Sequence, residues 1–148
     1  MTKEIDFYFD FISPYTYLAY KKIQSLPKNI KINYKLVLLG GLHNLQEITA
    51  PAFINSKLQY IDKMFKAYWK DNLDISSEET LISLLEKCKI DINNFFKKII
   101  DPIIKDKLKD VTKEAYVKGI FGATTFIVNN KMFWEQDRLN YALDEYNY

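Results

Sequence analysis

The sequence predicts an α/β domain in which a β-α-β start and a β-β-α end enclose an all-helical middle. Three observations predict it. Residues 5–11 alternate apolar and polar side chains, as a half-buried strand does. Residues from about 52 to 118 carry apolar side chains at helical spacing. Two short apolar runs, 124–128 and 131–134, flank Asn129-Asn130, a pair that tolerates the positive φ of a tight hairpin turn.

The elements follow in order. In the first strand Ile5, Phe7, Phe9 and Phe11 share the face predicted to be buried, and Asp6, Tyr8 and Asp10 the other. Ser13-Pro14 then opens a helix, because Ser is a good N-cap and proline's missing N–H is not needed at the first helical position. That helix runs through Tyr17, Leu18, Ala19 and Ile23 to about Leu26, before Pro27. Residues 31–39 read as a second strand, parallel to the first because the connection is long enough for a crossover. Its late apolar run predicts a central place in the sheet, and Gly40-Gly41 ends it. In the middle, Phe53, Leu58, Ile61, Met64, Phe65, Tyr68 and Trp69 mark one helix. Ser76 with Glu79 forms a capping box ahead of Leu81, Leu84 and Leu85. Asp91 caps a short helix, and Asp101-Pro102 opens another that ends at Gly119, a C′ residue. After the hairpin, Asp137 caps a last helix reaching about Tyr146.

This order is the thioredoxin-like plan. Residues 1–50 and 119–148 form its core and about 51–118 a helical insertion, within one domain over 1–148. A chain of 148 residues suits one such domain, which buries roughly 70% of the surface its unfolded form exposes. Hydrophobic residues make up 48% and charged residues 27%, so the chain belongs with globular rather than disordered sequences. A formal net charge of +2 argues against a nucleic-acid partner. No apolar run reaches the ~20 residues of a spanning helix, so no membrane partner is expected. Strand-like sequence begins by Ile5, without the pattern of a secretory signal, and the expected location is cytoplasmic, or the matrix for a protein already processed. Cys88 is the only cysteine, so no intramolecular disulfide forms.

The residues themselves carry a resemblance. The opening Phe7-Tyr8-Phe9-Asp10-Phe11-Ile12-Ser13-Pro14-Tyr15-Thr16-Tyr17-Leu18-Ala19, the stretch Val117 to Phe126, and Phe133-Trp134-Glu135-Gln136-Asp137-Arg138-Leu139 are three separated signatures in order. They resemble the family of 2-hydroxychromene-2-carboxylate isomerases and kappa-class glutathione transferases, within the DsbA-like thioredoxin superfamily. Leu38-Leu39-Gly40-Gly41, Lys57-Leu58-Gln59-Tyr60 and Phe65-Lys66-Ala67-Tyr68-Trp69 also fit. The likeness covers nearly the whole chain. Two departures stand out. The chain is short for the family, with the missing part near 61–64. Thr124 stands where the family has a cis-proline, and a cis peptide before a non-proline residue costs ~2.5–4 kcal/mol, so a trans bond is expected.

The resemblance implies glutathione as cofactor and assigns residues to it. Ser13 matches the serine that holds the glutathione sulfur and favours its thiolate. A hydroxyl and open N–H groups at a helix N-terminus favour an anion on physical grounds alone. Read from spacing alone, Ser13 is an N-cap, and the two roles can coexist. Ala123 inherits the backbone contact to the cysteinyl part. Asp137 with Gln136 matches the pair at the γ-glutamyl end, beside the plain reading of Asp137 as a cap. Lys57 matches the lysine at the glycyl carboxylate, or is a solvated side chain. Ile48 replaces a family asparagine, which removes one polar contact. His43, in the loop after Gly41, reads as an ordinary loop residue or a general base. Cys88 reads as a small core residue. Tyr15, Tyr17 and Trp69 fit either an aromatic pocket or core packing.

Both cysteines of a Cys-Pro-x-Cys motif are absent at Ser13-Pro14-Tyr15-Thr16, which excludes dithiol exchange. Two functions remain. One is a glutathione-dependent isomerase or transferase acting on a small unsaturated or aromatic electrophile. The other is a catalytically degenerate thioredoxin-fold binding protein without glutathione chemistry. The resemblance also suggests a homodimer.

Overall fold

The computed structural model describes residues 3–38 and 54–148. Their elements run β1 (Ile5–Phe9), α1 (Pro14–Ile23), β2 (Ile32–Leu36), α2 (Ile54–Trp69), α3 (Glu78–Lys87), α4 (Ile92–Ile99), α5 (Pro102–Val117), β3 (Thr125–Val128), β4 (Lys131–Trp134) and α6 (Leu139–Asn147). A 3-10 turn, Gln136–Arg138, joins β4 to α6. This is the α/β, thioredoxin-like order expected. Gly40-Gly41, His43 and Ile48 lie outside the described residues. Two compact units make up the chain: Met1–Leu39 with Lys109–Tyr148, and Gly40–Leu108.

In the first unit the strands lie in the order β2-β1-β3-β4. β1 and β2 are parallel, from Ile5 opposite Ile32 to Phe9 opposite Leu36, while β3 is antiparallel to both β1 and β4. Two expectations are corrected here. β2 is an edge strand, not a central one. Its late apolar run reflects burial just past the strand, where Val37 packs with Tyr8, Ala115 and Ile120. The inner strands are β1 and β3, and both faces of β1 are covered. Tyr8, expected on an open face, is 1% exposed because the C-terminal part of α5 lies over it.

The opposite face of β1 is an aromatic layer. Phe7 stacks on Phe9 and on Phe126 with ring centroids 5.4 Å apart in each case. Tyr34 stands edge-on to Phe7, and Tyr20 of α1 meets Tyr34. Burying one such side chain contributes roughly 1.5–3 kcal/mol, against about 1 kcal/mol for a typical hydrogen bond. Apolar packing therefore holds α1 on the sheet and fixes where its first turn sits.

Helix ends follow local chemistry. The α1 helix stops at Ile23, earlier than Pro27 requires. The α5 helix ends at Val117, and Gly119 (φ 81°) closes it as the expected left-handed residue past the end, with the Ile120 N–H donating to the Ala115 carbonyl at 3.0 Å. In the second unit Asp91 caps α4 as expected. The α3 cap is Ser77, not Ser76: Ser77 accepts from the Thr80 N–H, and the Ser76 hydroxyl turns to the Asp74 carboxylate at 2.6 Å. Leu81, Leu84, Leu85 and Phe95 are buried there, as is Cys88 at the end of α3.

Candidate active site

β1 delivers the chain to the site. Past Phe9 the Asp10 carboxylate accepts from the Ile12 N–H at 3.2 Å, and the Ser13 N–H donates to the Asp10 carbonyl at 3.3 Å. Burial pushes the Asp10 carboxyl above its ordinary range, against the lowering effect of the Ile12 N–H. The turn leaves Ser13 extended (φ −83°, ψ 120°) as N-cap of α1, with Pro14 in the first helical position. Ser13 Oγ accepts from the Thr16 N–H at 3.2 Å. Pro14 has no N–H, so Tyr15 carries the remaining first-turn donor without an acceptor among the described residues.

The second wall is the loop between α5 and β3. Ser13 Oγ donates to the Ala123 carbonyl at 3.0 Å, which joins two of the residues singled out in the sequence. The Ala123–Thr124 peptide is cis, which corrects the trans bond expected from the lost proline. Thr124 is fully buried; its hydroxyl donates to that of Thr16 at 2.8 Å, and its carbonyl accepts from the Glu135 N–H at 2.9 Å. The resemblance drew attention to Thr124, but nothing in the sequence pattern paired it with Thr16, because neither residue breaks a helical or strand period. Gly122 lies under the Trp134 indole, where an added Cβ would come within 3.2 Å of Cδ1. The indole in turn meets Phe121 at 4.9 Å between ring centres.

The third wall is the 3-10 turn after β4, which packs against α1. Gln136 is half-buried, with its Oε1 shielded from solvent and without a donor among the described residues. Asp137 does not cap the last helix, which corrects that reading. The 3-10 turn intervenes, α6 begins at Leu139, and no side chain caps it. The Asp137 carboxylate stays exposed, 3.7 Å from Arg138 Nε. Arg138 lies over the Tyr141 ring at 5.5 Å and so supports α6. Lys57 belongs to the second unit, in the first turn of α2, where burial lowers the pKa of its ammonium. Tyr15 is exposed and Tyr17 half-buried.

One residue was passed over by sequence reasoning. Glu135 adopts φ 88°, ψ 157°, a conformation natural to glycine, and one of its carboxylate oxygens is buried without a donor among the described residues. A side chain gives no sign in the sequence that its backbone will be forced there.

A model of the DsbA-like thioredoxin domain matches residues 4–63 and 55–147. The chain belongs to the DsbA-like thioredoxin family. The two matches of the DsbA-like model meet within α2, around the place where the sequence resemblance locates the missing part. Among curated relatives, the 2-hydroxychromene-2-carboxylate isomerase of Sphingobium xenophagum is 24% identical over 188 aligned positions, covering 95% of this chain and 96% of its own. That of Pseudomonas putida is 25% identical over 184 positions, covering 91% of this chain and 90% of its own. Both alignments are longer than 148 residues, so the relatives carry residues that this DsbA-like chain lacks. A solved 2-hydroxychromene-2-carboxylate isomerase superposes with TM-score 0.75 at 20% identity, covering 95% of this chain and 92% of the other. A DsbA variant from Pseudomonas aeruginosa gives 0.77 at 19% identity, covering 99% and 86%. The shared DsbA-like fold therefore spans almost the whole chain. Among the described residues no helix is long and apolar enough to cross a membrane.

Proposed function

We propose that this protein is a glutathione-dependent isomerase of the 2-hydroxychromene-2-carboxylate isomerase type, holding a glutathione thiolate at Ser13 for addition to a small unsaturated or aromatic electrophile. One observation carries the reading: the Ser13 hydroxyl stands at the N-terminus of α1, 3.0 Å from the backbone of the Ala123 loop. A hydroxyl proton, an open first-turn N–H and the positive end of a helix thus meet at one point. Each favours the thiolate over the thiol. The curated relatives that match along the chain, all carrying the isomerase name, support the reaction class.

The chemistry is an addition followed by its reversal. The thiolate forms a carbon–sulfur bond to one end of a conjugated double bond, and the electron pair moves into the adjoining carbonyl system. The former double bond then rotates as a single bond. Return of the electron pair expels the thiolate and restores the double bond in the other geometry. No net oxidation or reduction occurs. The protein contributes position and thiolate stabilisation. For this, Ser13 Oγ turns its single proton from the Ala123 carbonyl to the sulfur, and the Thr16 N–H continues to donate to Oγ.

Calorimetry with glutathione tests the reading. The thiolate absorbance of bound glutathione should appear at a lower pH than that of the free tripeptide. Ser13→Ala should weaken binding by about tenfold or more, the usual loss for a hydrogen bond to a charged group. A second reading, the degenerate binding protein, draws support from the same hydrogen bond, because the Ser13 proton is already engaged by Ala123. Absence of glutathione binding at millimolar concentration selects that reading and ends the first.

A further inference from the structure

We propose that Thr16 and Thr124 are positioning residues for Ser13: their hydroxyl pair holds the Ala123 carbonyl against Ser13 Oγ and so draws the serine proton away from a bound sulfur. The part that concerns sulfur rests on the thiol-binding reading above; the positioning stands on the geometry of the free protein. Both threonines are fully buried, and the Thr124 hydroxyl donates to that of Thr16 at 2.8 Å. Solvent does not reach this bond, and a hydroxyl left alone there would lose its hydration without return. The bond is therefore a strut between the first turn of α1 and the loop before β3.

Both ends of the strut lead to Ser13. On the helix, the Thr16 N–H donates to Ser13 Oγ at 3.2 Å. In the loop, Thr124 follows Ala123, whose carbonyl accepts from Ser13 Oγ at 3.0 Å. Hydrogen bonds and chain thus close a ring through Thr16, Thr124, Ala123 and Ser13. The loop is also held on either side of the Ala123 carbonyl. The Gly122 carbonyl accepts from Thr125 Oγ1 at 2.6 Å, and the Thr124 carbonyl from the Glu135 N–H at 2.9 Å. Ser13 has a single hydroxyl proton. While the Ala123 carbonyl stays within reach, it competes for that proton with any anion that approaches. A pair of buried hydroxyls then decides how much of the serine proton a thiolate receives. A proline at 124 has no hydroxyl to offer, so the strut depends on this chain's own pairing of two threonines.

The test is a double-mutant cycle between Ser13→Ala and the paired change Thr16→Val with Thr124→Val, read by urea unfolding of the full chain. Removing both hydroxyls while keeping their shape leaves no lone polar group, so the valine pair should fold with nearly wild-type stability. Ser13→Ala alone should lower the folding equilibrium constant by about fivefold. In the valine pair it should lower it by only about twofold, because the bond to Ala123 is already loosened. A threonine pair that merely packed the loop would leave the Ser13→Ala loss unchanged. Thr16→Ser with Thr124→Ser keeps both hydroxyls and should restore the full loss. Where the valine pair does not fold, Thr124→Ala takes its place in the cycle with the same expected outcome. With glutathione bound, the valine pair should raise the ratio of thiolate to thiol by about fivefold at one fixed pH, read from the thiolate absorbance. Equal Ser13→Ala losses in the two backgrounds overturn the inference, and so does an unchanged thiolate ratio in bound glutathione. A protein that binds no glutathione ends the thiol-binding reading instead and leaves the unfolding cycle to decide this one.

Discussion

The two ends of β4 meet the same backbone difficulty and resolve it differently. At its start, Asn129 and Asn130 take φ 51° and 60° to turn the hairpin. Asparagine tolerates that region, and Asn129 Nδ2 donates to the Glu145 carbonyl at 3.1 Å and to its Oε1 at 2.9 Å. Lys131 completes the brace with an ion pair to Glu145 at 2.7 Å. At the other end, Glu135 takes φ 88° with a side chain poorly suited to it, and a buried oxygen is left without a donor among the described residues. One end is a structural turn braced by Glu145. The other gives up stability in the turn that packs against α1. An unmatched residue is the more informative of the two, because packing alone does not explain its presence.

The largest expected effect is at the Glu135 end. In Gly122→Ala the new methyl displaces the Trp134 indole from its place over the loop and against Phe121. Overpacking of this kind costs about 1–3 kcal/mol, read as a lower urea midpoint with an unchanged slope. A variant as stable as wild type would mean that the indole swings clear freely, and that this end of β4 is not packed as described. Ser13→Ala comes next. It removes the N-cap acceptor and the donor to Ala123 together and should lower stability by about 1 kcal/mol. Asn130→Ala should cost about 1 kcal/mol, the penalty of a left-handed residue with a Cβ and no compensating polar group. Glu135→Gly should instead gain about 1 kcal/mol. Opposite signs at the two ends sharpen the comparison, and equal signs break it.

Those expectations show what was legible beforehand. The Asn-Asn pair announces its turn because residue type and backbone agree, and so do Asp91 and Gly119 at helix ends. Ser13 was legible twice, as a cap and as a family match. Longer-range facts were not. Whether β2 lies at an edge depends on which strand returns beside β1, and the local apolar run does not encode that. The burial of Tyr8 depends on α5 crossing its face, and β1 alone shows only alternation. The last helix was assigned an Asp137 cap because the 3-10 turn before it has no distinct pattern. The Thr16–Thr124 hydroxyl pair and Glu135 join residues from separate parts of the chain through geometry, with no spacing rule to find them.

The smallest effect is the response to pH, and it too has opposite signs at the two regions. The hydrogen bonds from Lys131 and Asn129 hold the Glu145 carboxyl below its usual 4.5, so its contribution is present above the unfolded pKa and is lost as pH falls through the lower folded value. Its Lys131 partner is largely exposed, so solvent screens the pair and the change is correspondingly slight. Asp10, beside Ser13, behaves the other way. Burial raises its pKa above 3.8, so the folded state holds its proton longer than the unfolded chain, and stability falls as pH rises from about the unfolded value through the raised one. Asp10→Asn should remove that decline and leave the acid loss at Glu145. Lys131→Met should reduce the acid loss and leave the Asp10 decline. Urea midpoints followed from acid to neutral pH separate the two. A single variant that flattens both limbs would show that the ends of the hairpin are coupled, and the contrast between them would then be one property of the whole sheet.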